Sequence, residues 1–375
     1  MRIAINTRFL LNGKMEGFGW YTYEICKRLV VNHPEHEFFF FFDRPFDEKF
    51  IFAKNVTPLV LSPPARHPIL FYIWFEWLVT KALKKHKIDL FFSPDGYLSL
   101  QTKTPQVATI HDVNFEYFPE DIPFAARKYL RYFFPKFAKK ASEIITVSHY
   151  SKTDIAQNYS IPESKIHVIW NGASDFFAPI PQEQKQFIRD KISNSKPYFL
   201  FVGALHPRKN LVRLINAYNA YATSEQENAF HLVIAGENLW KNKGFKVDTA
   251  TAVKEKIHFT GRLSLESLAE ITASAGSLAY VPYFEGFGIP LVEAMKCGVP
   301  IVSGNLTSLP EVAAEAALYC DPLDEKSIEN ALREMANNKS LRNDLAQKSL
   351  ERGNLFSWDQ AADQVWNVLE KYLKY

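Results

Sequence analysis

The sequence has few cysteines, no long apolar segment and almost no net charge. Its three cysteines, an odd number without metal-ligand spacing, indicate a reducing compartment and exclude a disulfide framework. The most apolar stretch, residues 69–79, contains Glu76 and falls well short of the roughly 20 residues that span a bilayer. A formal net charge of +3 is too small for a general nucleic-acid binder.

The N-terminus lacks the features of a signal peptide, because Arg8 interrupts its short apolar run. We therefore predict a cytoplasmic protein that neither crosses a membrane nor binds nucleic acid. A length of 375 residues corresponds to two or three domains of ordinary size.

Short, wholly apolar segments alternate with amphipathic segments along the chain, a pattern typical of parallel sheets covered by helices. The predicted strands are residues 2–5, 38–42, 89–92, 107–110, 144–147 and 166–170, then 198–202, 231–235, 256–259, 278–281, 300–302 and 318–320.

This pattern predicts an α/β protein of two doubly wound, Rossmann-like domains. We place the domains at residues 1–178 and 179–357, with a linker near 173–195 and a last helix, 358–375, that packs back on the first domain. Ligands bind at the carboxyl ends of strands in such sheets, so the two domains are expected to face a central cleft.

The most informative segment follows the predicted strand 278–281 and opens a helix. It reads Glu285-Gly286-Phe287-Gly288-Ile289-Pro290-Leu291-Val292-Glu293. Its two glycines let the backbone approach a ligand closely, and Pro290 suits the first turn of a helix. Free N–H groups at a helix start favour phosphate, so Glu285 and Glu293 could hold two parts of a polyhydroxylated ligand around it.

A second segment combines a glycine with two cations at the end of another predicted strand. Gly203 follows strand 198–202, and Arg208 and Lys209 precede a helix. Arginine makes bidentate contacts with phosphate and lysine supplies a point charge, so the pair can neutralise a diphosphate. Because the sequence has no Asp-x-Asp pair, the usual handle for a metal-bound diphosphate, we expect no metal here.

Together these motifs resemble family 4 of the retaining GT-B glycosyltransferases, over nearly the whole chain. The matching residues are Glu285 with Glu293, Gly203 with Lys209, Phe259-Thr260-Gly261-Arg262, Gly17-Phe18-Gly19, Thr109-Ile110-His111-Asp112, Thr146-Val147-Ser148 and Asn171-Gly172. Residues 207–210 and 308–312 are similar to a mannosyltransferase-like branch that builds bacterial surface polysaccharides.

The resemblance implies a retaining, metal-independent glycosyltransferase. Such an enzyme moves a hexose from a nucleotide-diphosphate sugar, here GDP-mannose or a UDP-sugar, to a saccharide or lipid-linked acceptor. The nucleotide sugar is a co-substrate, and no cofactor is implied. Retention in this family is explained by attack on the face from which the diphosphate leaves, with a departing phosphate oxygen taking the acceptor proton.

The resemblance also implies roles for individual residues. Glu285 is expected to hold donor-sugar hydroxyls and Glu293 the ribose hydroxyls, while Arg208 and Lys209 stabilise the leaving diphosphate. His111 is expected beside the reacting sugar. The other expected contacts are the backbone of Gly286, Phe287, Gly288, Ile289 and Leu291 for sugar and phosphates, Gly203 and Ser148 for the donor, Arg262 for the base, and Gly17, Phe18 and Gly19 as a loop over the phosphates or acceptor.

The chain departs from the family at Ala204, where many members carry an arginine directly after the glycine. We expect Arg208 to supply that charge. The sequence leaves open whether it does.

Each motif also has an ordinary structural interpretation. Glutamates eight positions apart often mark a solvated helix face, and adjacent cations are often surface charge. The segment 17–19 is a weak signal, because Thr22 stands where the dinucleotide-binding motif has its third glycine. His111 can simply be packed and hydrogen-bonded, and Ser148 can cap a helix.

Residues 127–140 mix lysines and arginines with aromatic residues. A basic amphipathic surface of this kind can lie on anionic lipid, which would suit a lipid-linked acceptor at the inner face of a membrane. The alternative is a helix that packs its aromatic residues on the sheet, with Pro135 kinking it.

Other functions remain open from the residues alone. One is a glycan phosphorylase or synthase of the same fold, the phosphorylase depending on pyridoxal phosphate. Another is a catalytically silent scaffold that retains nucleotide binding. A nicotinamide dehydrogenase is less favoured, because neither glycine loop has the dinucleotide-binding spacing.

Overall fold

The structure is a computed structural model that describes residues 1–13, 15–204, 206–236 and 251–372. The chain divides into two compact units: residues 1–171 with the C-terminal residues from 358 onward, and residues 172–357. The sequence pattern places this division seven residues later, at 178/179. The first sheet ends at Val168, and the chain joins the second unit soon afterwards, where Phe177 is buried.

The first unit is built on a parallel sheet of seven strands in the order β3-β2-β1-β4-β5-β6-β7. The strands are β1 (Arg2–Asn6), β2 (Glu37–Phe42), β3 (Val56–Val60), β4 (Leu90–Ser93), β5 (Gln106–Thr109), β6 (Glu143–Thr146) and β7 (Ile166–Val168). Successive phenylalanines of β2 enter opposite cores, because side chains alternate across a sheet. This double burial explains the uninterrupted apolar runs.

Helices cover both faces of this sheet. They are α1 (Gly17–Asn32), α2 (Pro68–Tyr72), a π-helix (Ile73–Val79), α3 (Thr80–Lys85), α4 (Asn114–Tyr117), α5 (Phe124–Lys140) and α6 (His149–Tyr159). Tyr129, Phe134 and Phe137 of α5 are buried in the core below the helix.

The second unit contains a six-stranded parallel sheet in the order β10-β9-β8-β11-β12-β13. The strands are β8 (Tyr198–Val202), β9 (His231–Ala235), β10 (Ile257–Gly261), β11 (Ser277–Tyr280), β12 (Ile301–Gly304) and β13 (Ala317–Cys320). The chain runs outward from β8 to β10 and then returns to β11 beside β8. The strand order therefore reverses between β8 and β11, the place where open α/β sheets bind ligands.

The helices of this unit are α7 (Gln182–Ile192), α8 (Leu211–Glu225), α9 (Thr251–Lys254), α10 (Leu265–Ser274), α11 (Ile289–Lys296), α12 (Leu309–Ala313), α13 (Glu325–Asn337) and α14 (Lys339–Gly353). Short 3₁₀ turns occur at Glu48–Phe50, Pro119–Asp121, Glu163–Lys165, Pro207–Lys209, Gln226–Asn228 and Ala314–Ala316. The prediction of a linker over 173–195 is wrong in part, because the helix α7 occupies residues 182–192 within it. Only Ile188 of that helix is buried, so its apolar periodicity is weak.

The last helix, α15 (Trp358–Glu370), returns to the first unit and packs on α1. Its buried residues include Trp358, Val365, Trp366 and Leu369, which belong to one core of that unit. Residues 373–375 of the predicted last helix lie outside the described residues. In the described part of the chain, no helix combines the length and the apolar character that a membrane span requires.

Candidate active site

Two loops meet where the strand order of the second unit reverses. One follows β8 and contains Arg208 and Lys209; the other follows β11 and contains Glu285. The backbone N–H of Tyr283 donates to the carbonyl of Arg208 at 3.1 Å and joins the loops directly. Parallel neighbouring strands end at the same edge of a sheet, which is why residues 75 positions apart come together here.

The two cations share one carboxylate oxygen. Arg208 Nη1 lies 2.8 Å from Glu285 Oε1, and Lys209 Nζ donates to the same oxygen. Lys209 Nζ also lies 2.8 Å from the Tyr280 hydroxyl, and Arg208 Nη1 lies 3.2 Å from the carbonyl oxygen of Phe284. The Glu285 side chain is buried and both cations are half-buried, so this cluster carries a net positive charge out of bulk water.

Opposing effects set the ionisation of Glu285. Burial alone would raise the pKa of its carboxyl, but the charges of Arg208 and Lys209 outweigh burial and lower the pKa to about 2. Burial beside Glu285 raises the pKa of the Tyr280 hydroxyl well above its usual range. Glu285 is therefore an anion and Tyr280 a neutral phenol at any physiological pH.

Asn210 holds both loops in place. Its backbone lies in the left-handed region, with φ of 60°, a conformation that asparagine tolerates better than most residues. Its side-chain amide donates to the carbonyls of Val281 at 2.9 Å and Pro322 at 2.6 Å. One buried amide thus ties the cation loop to two neighbouring loops.

Two hydroxyl residues fix the backbone of Glu285. The Ser308 hydroxyl donates to the Glu285 carbonyl at 2.9 Å, and the Glu285 N–H donates to the Thr307 hydroxyl at 3.2 Å. These contacts orient the loop that precedes α11. They come from the segment after β12, the next strand of the sheet.

The start of α11 lies directly after this loop. Gly288 caps the helix with φ of 95°, and a Cβ atom there would lie 3.0 Å from Leu309 Cδ2, so only glycine fits without strain. The backbone N–H groups of Phe287, Gly288 and Ile289 donate to no residue in the described ranges. Pro290 falls in the first turn, as the sequence predicts.

Glu293 lies in the second turn of α11 and is half-buried. Its carboxyl group forms no hydrogen bond or ion pair with a described residue. Burial raises the pKa of this carboxyl to about 7. An isolated carboxyl of this kind is suited to accept hydrogen bonds from ligand hydroxyl groups.

The remaining predicted residues of this unit occupy different places. Gly203 directly follows β8 and lies beside the aliphatic part of the Lys209 side chain. Ala204 comes next, and Arg208 supplies the arginine of the ion cluster. Leu291 is buried in α11. Arg262 is exposed at the end of β10, which β9 separates from β8. The structure does not bring Arg262 into the ion cluster.

In the first unit, His111 follows β5 at the carboxyl edge of the sheet. Its Nε2 lies 2.8 Å from the Pro94 carbonyl oxygen, and its ring contacts the rings of Phe18 and Tyr21, with centroids 4.9 and 4.6 Å away. Burial lowers the pKa of the His111 imidazole, so the ring is neutral at neutral pH.

One prediction for this unit needs correction. Gly17, Phe18 and Gly19 form the first turn of α1 rather than a loop before it. A Cβ atom on Gly19 would lie 2.8 Å from the Phe9 carbonyl oxygen, so the glycine lets α1 pack close to the preceding turn. Ser148 is buried and caps α6, because its hydroxyl oxygen accepts from the N–H of Ser151 at 3.0 Å. This contact is the helix-capping role that the sequence offered as an alternative to donor binding.

Sequence reasoning missed several residues of the ion cluster and its supports. Tyr280 is the last residue of β11, and a polar hydroxyl at the carboxyl end of a central strand is a signal that could have found it. Asn210 directly follows the two cations in the segment 207–210, so its position beside them is a sequence signal for a supporting residue. Thr307 carries no sequence signal of its own. Ser308 begins the segment 308–312 that carries the resemblance, but its contact with Glu285 depends on the folded sheet.

Comparison with known proteins finds two family models that match this chain, one in each half. Residues 15–175 match the family model "Glycosyltransferase Family 4", and residues 182–352 match the model "Glycosyl transferases group 1". The chain is 27% identical over 366 residues to O-antigen chain mannosyltransferase B of Escherichia coli, covering 94% of this chain and 96% of that protein. It is also 27% identical to O-antigen chain mannosyltransferase RfbU of Salmonella typhimurium, covering 76% and 77% respectively.

Solved structures show the same fold at low sequence identity. The crystal structure of WaaG, a glycosyltransferase involved in lipopolysaccharide biosynthesis, aligns with a TM-score of 0.77 and 17% identity over 98% of this chain and 99% of WaaG. HepE from Anabaena, in complex with UDP and glucose, aligns with a TM-score of 0.75 and 18% identity over 99% and 100%. These likenesses show the GT-B fold, built of two Rossmann-like domains.

Proposed function

We propose, from the premise that this chain belongs to family 4 of the glycosyltransferases, that it transfers a hexose in the synthesis of a surface polysaccharide. The donor is a nucleotide-diphosphate sugar, GDP-mannose in our first choice and a UDP-sugar in our second. The acceptor is a saccharide or lipid-linked saccharide. Transfer retains the anomeric configuration and requires no metal ion. The predicted family and enzyme class are confirmed by the family models and the mannosyltransferase relatives.

The observation that carries the proposal is the cluster of Arg208, Lys209 and Glu285 beside the start of α11. Arg208 and Lys209 share one oxygen of Glu285 in a half-buried place, so positive charge exceeds negative charge among these three side chains. The adjacent N–H groups of Phe287, Gly288 and Ile289 add the positive end of a helix. A diphosphate is the anion that best matches two fixed cations and a row of backbone donors.

This arrangement supports departure of the diphosphate as the step that the protein accelerates. Cleavage of the sugar–phosphate bond builds negative charge on the leaving group. Preorganised cations and N–H groups stabilise that charge, an effect worth about 3–4 kcal/mol for one well-placed donor. Two cations can fulfil the neutralising role for which other transferases use a metal ion.

The state of Glu285 supports retention without a covalent intermediate. Its carboxylate is engaged by both cations, and its pKa of about 2 marks a weakly basic group. Such a group is a poor nucleophile but a good acceptor for the hydroxyls of the donor sugar. Attack on the face from which the diphosphate leaves, with a phosphate oxygen taking the acceptor proton, needs no protein nucleophile.

Glu293 completes the proposed donor site. Its carboxyl has no partner within the described residues, and a vicinal diol such as that of ribose would supply the missing donors. Base recognition by Arg262 stays a prediction. The roles of Gly203, Leu291 and Ser148 at the donor stay predictions as well.

A thermal-shift panel of nucleotide sugars tests this function. Because a ligand that binds only the native state stabilises it by about 2.7 kcal/mol at 100 times its Kd, GDP-mannose should raise the Tm more than other donors. Radiolabelled transfer in the presence of EDTA tests metal independence. If no nucleotide sugar shifts the Tm, the proposal fails; a shift without transfer or donor hydrolysis would instead support a silent scaffold.

We also propose that α5 contacts anionic lipid and so brings the enzyme to a lipid-linked acceptor. Phe124, Lys128, Tyr132, Lys136 and Lys140 are spaced four residues apart and therefore share one exposed ridge. The rings of Phe124 and Tyr132 are 60% and 59% exposed. The opposite face of α5 packs on the sheet, as the alternative interpretation of residues 127–140 expects.

Co-sedimentation with phosphatidylglycerol vesicles tests this contact. Replacing Lys128, Lys136 and Lys140 by Ala should weaken binding about 100-fold, at about 1 kcal/mol for each lysine near an anionic surface. Phe187 and Lys191 of α7 provide a matched control, because an exposed phenyl ring there also lies under a lysine, with Nζ 3.9 Å from the ring centroid. The control variant Lys191→Ala should bind the vesicles as the wild type does. If the triple variant of α5 also binds as the wild type does, the proposal is contradicted.

A further inference from the structure

Tyr280 is a wholly buried tyrosine at the edge of the second sheet where the ion cluster lies. It ends β11, a strand that lies between β8 and β12 and whose residues are all buried. A hydroxyl group in such a place needs hydrogen-bond partners, because a buried polar group without them is costly. Tyr280 finds two partners in the ion cluster of Arg208, Lys209 and Glu285.

The Tyr280 hydroxyl accepts one hydrogen bond and donates another. Lys209 Nζ lies 2.8 Å from the phenol oxygen, and an ammonium group only donates, so the oxygen is the acceptor. The proton of the hydroxyl is then donated to the Glu285 carboxylate, which only accepts. The hydroxyl therefore bridges a cation and an anion that are also paired directly with each other.

The direction of both hydrogen bonds is permanent. Burial beside Glu285 raises the pKa of the Tyr280 hydroxyl well above its usual range, so the phenol keeps its proton throughout the physiological range. The order of donors and acceptors from Lys209 through Tyr280 to Glu285 is thus fixed.

The Lys209 side chain is held along its length. A Cβ atom on Gly203 would lie 3.5 Å from Lys209 Cε and 3.6 Å from Cδ, so the aliphatic part of the lysine lies over this glycine. At its end, Nζ lies 5.2 Å from the centroid of the Tyr280 ring, within the range of a cation–π contact. A lysine side chain ordinarily samples many rotamers, whereas this one is confined between Gly203, Tyr280 and Glu285.

We infer that Tyr280 is a positioning residue, whose hydroxyl holds the Lys209 ammonium where the departing diphosphate develops its charge. A cation stabilises a transition state most when it is already in place before the charge develops. No part of the Tyr280 side chain is exposed, so its effect on the reaction passes through Lys209. The inference rests on the proposed function and adds a residue that holds the lysine in place.

The Tyr280→Phe variant tests this role, because it removes the hydroxyl and keeps the ring. We expect kcat to fall about tenfold to 100-fold, the worth of one hydrogen bond to a charged group. KM for the donor should change little, since the ammonium group remains in the site. Release of GDP from GDP-mannose by the full chain measures both constants, with UDP-glucose replacing it if the thermal-shift panel selects that donor.

A double-mutant cycle with Lys209→Ala shows whether Tyr280 acts through the lysine. In the Lys209→Ala background, adding Tyr280→Phe should change kcat by less than about twofold, because the group that the hydroxyl positions is already absent. A purely structural role predicts instead that Tyr280→Phe lowers kcat by the same factor in both backgrounds. That result would overturn the inference.

NMR of the full chain with ¹⁵N at lysine Nζ tests the positioning without turnover. The Lys209 ammonium signal is identified as the one missing from Lys209→Ala. In Tyr280→Phe its protons should exchange faster with water, because one of their acceptors is gone. Unchanged exchange would contradict the inference.

Tyr198→Phe is the matched control. Tyr198 is a buried tyrosine that begins β8 of the same sheet, and its hydroxyl donates to the Ile271 carbonyl at 2.6 Å. This variant removes the same group at the opposite edge of the sheet, so it should leave kcat and the Lys209 signal unchanged. Circular dichroism and the Tm verify that each variant is folded.

The outcomes separate this inference from the proposed function. A normal kcat in Tyr280→Phe, together with a strongly reduced kcat in Lys209→Ala, would overturn the positioning role and leave the donor site intact. A normal kcat in Lys209→Ala would contradict the donor site itself, and the role of Tyr280 would fall with it. Calorimetry with GDP, which should bind wild type and Tyr280→Phe alike, tests the donor site independently.

Discussion

At the scale of single residues, the most consequential feature is that Glu285 Oε1 forms ion pairs with two cations. The carboxylate fixes where Arg208 and Lys209 point, so their charges do not have to be organised when a phosphate arrives. Preorganisation of this kind is what makes electrostatic stabilisation effective in a half-buried site. The Tyr280 hydroxyl adds a second anchor for Lys209.

Replacement of Lys209 should therefore abolish most transfer without unfolding the chain. We expect Lys209→Ala to lower kcat by about 10²–10³, the loss caused by removing one transition-state donor. Lys348→Ala, which removes an exposed ion pair with Asp344, is the control and should leave kcat unchanged. Near-normal turnover of Lys209→Ala would show that the diphosphate binds elsewhere.

Glu285→Ala should also depress transfer strongly, by removing both the sugar contact and the anchor of two cations. Arg208 and Lys209 then lose their common partner, so we expect the affinity for GDP alone to change less than the rate of transfer. Calorimetry with GDP and a transfer assay measure the two effects separately. A variant that keeps normal turnover would refute the assignment of Glu285.

The raised pKa of Glu293 makes stability depend on pH. A carboxyl whose pKa rises from its ordinary 4.5 to about 7 on folding favours the protonated native state. Its contribution is complete below pH 4.5 and is lost as pH rises through about 7. The free energy of unfolding should thus fall by about 1–3 kcal/mol over this range relative to Glu293→Gln. Urea unfolding at pH 5 and pH 8 measures it; parallel pH profiles would contradict the prediction.

At the scale of secondary-structure elements, the start of α11 depends on one backbone conformation. Gly288 has φ of 95° and lies against Leu309. A side chain at this position would be strained by the left-handed backbone and also by close contact with the Leu309 side chain. We expect Gly288→Ala to destabilise the chain by about 1–3 kcal/mol and to weaken donor binding by misplacing the N–H groups. Gly17→Ala, at a helical position with open space, should be neutral or stabilising. Equal Tm values for the two variants would contradict this view.

The elements themselves follow largely from local patterns. The twelve predicted strands are present in the structure, with ends shifted by no more than two residues. Burial on both faces explains the apolar runs of the central strands, whereas the edge strand β10 is only partly buried. β3 was missed. It pairs only with β2, has Pro58 in its middle and leaves two residues exposed, which only an edge strand tolerates.

At the scale of the whole molecule, the C-terminal helix α15 belongs to the first unit, although the whole second unit separates it from residues 1–171 along the chain. Deleting residues 358–375 should unfold the first unit, because burial of each large side chain such as Trp358, Trp366 or Leu369 contributes about 2–5 kcal/mol to a stability of typically 5–15 kcal/mol. The second unit should keep its cooperative transition. Calorimetry and limited proteolysis of the truncated chain measure this outcome; two intact transitions would contradict it.

Sequence patterns, with the family resemblance that they carry, are enough to predict the α/β class, the GT-B fold, the family and the loops that contain Glu285, Arg208 and Lys209. Apolar runs and glycine-containing turns can each be recognised within a few residues, and the order of the motifs can be followed along the chain without knowledge of the fold. The folded structure was needed to show that one carboxylate oxygen joins both cations, that Asn210, Thr307 and Ser308 support it, and that Phe18 lies in a helix beside His111. Such contacts join segments that are distant along the chain, and the order of strands in a sheet, which local patterns do not encode, decides which segments meet.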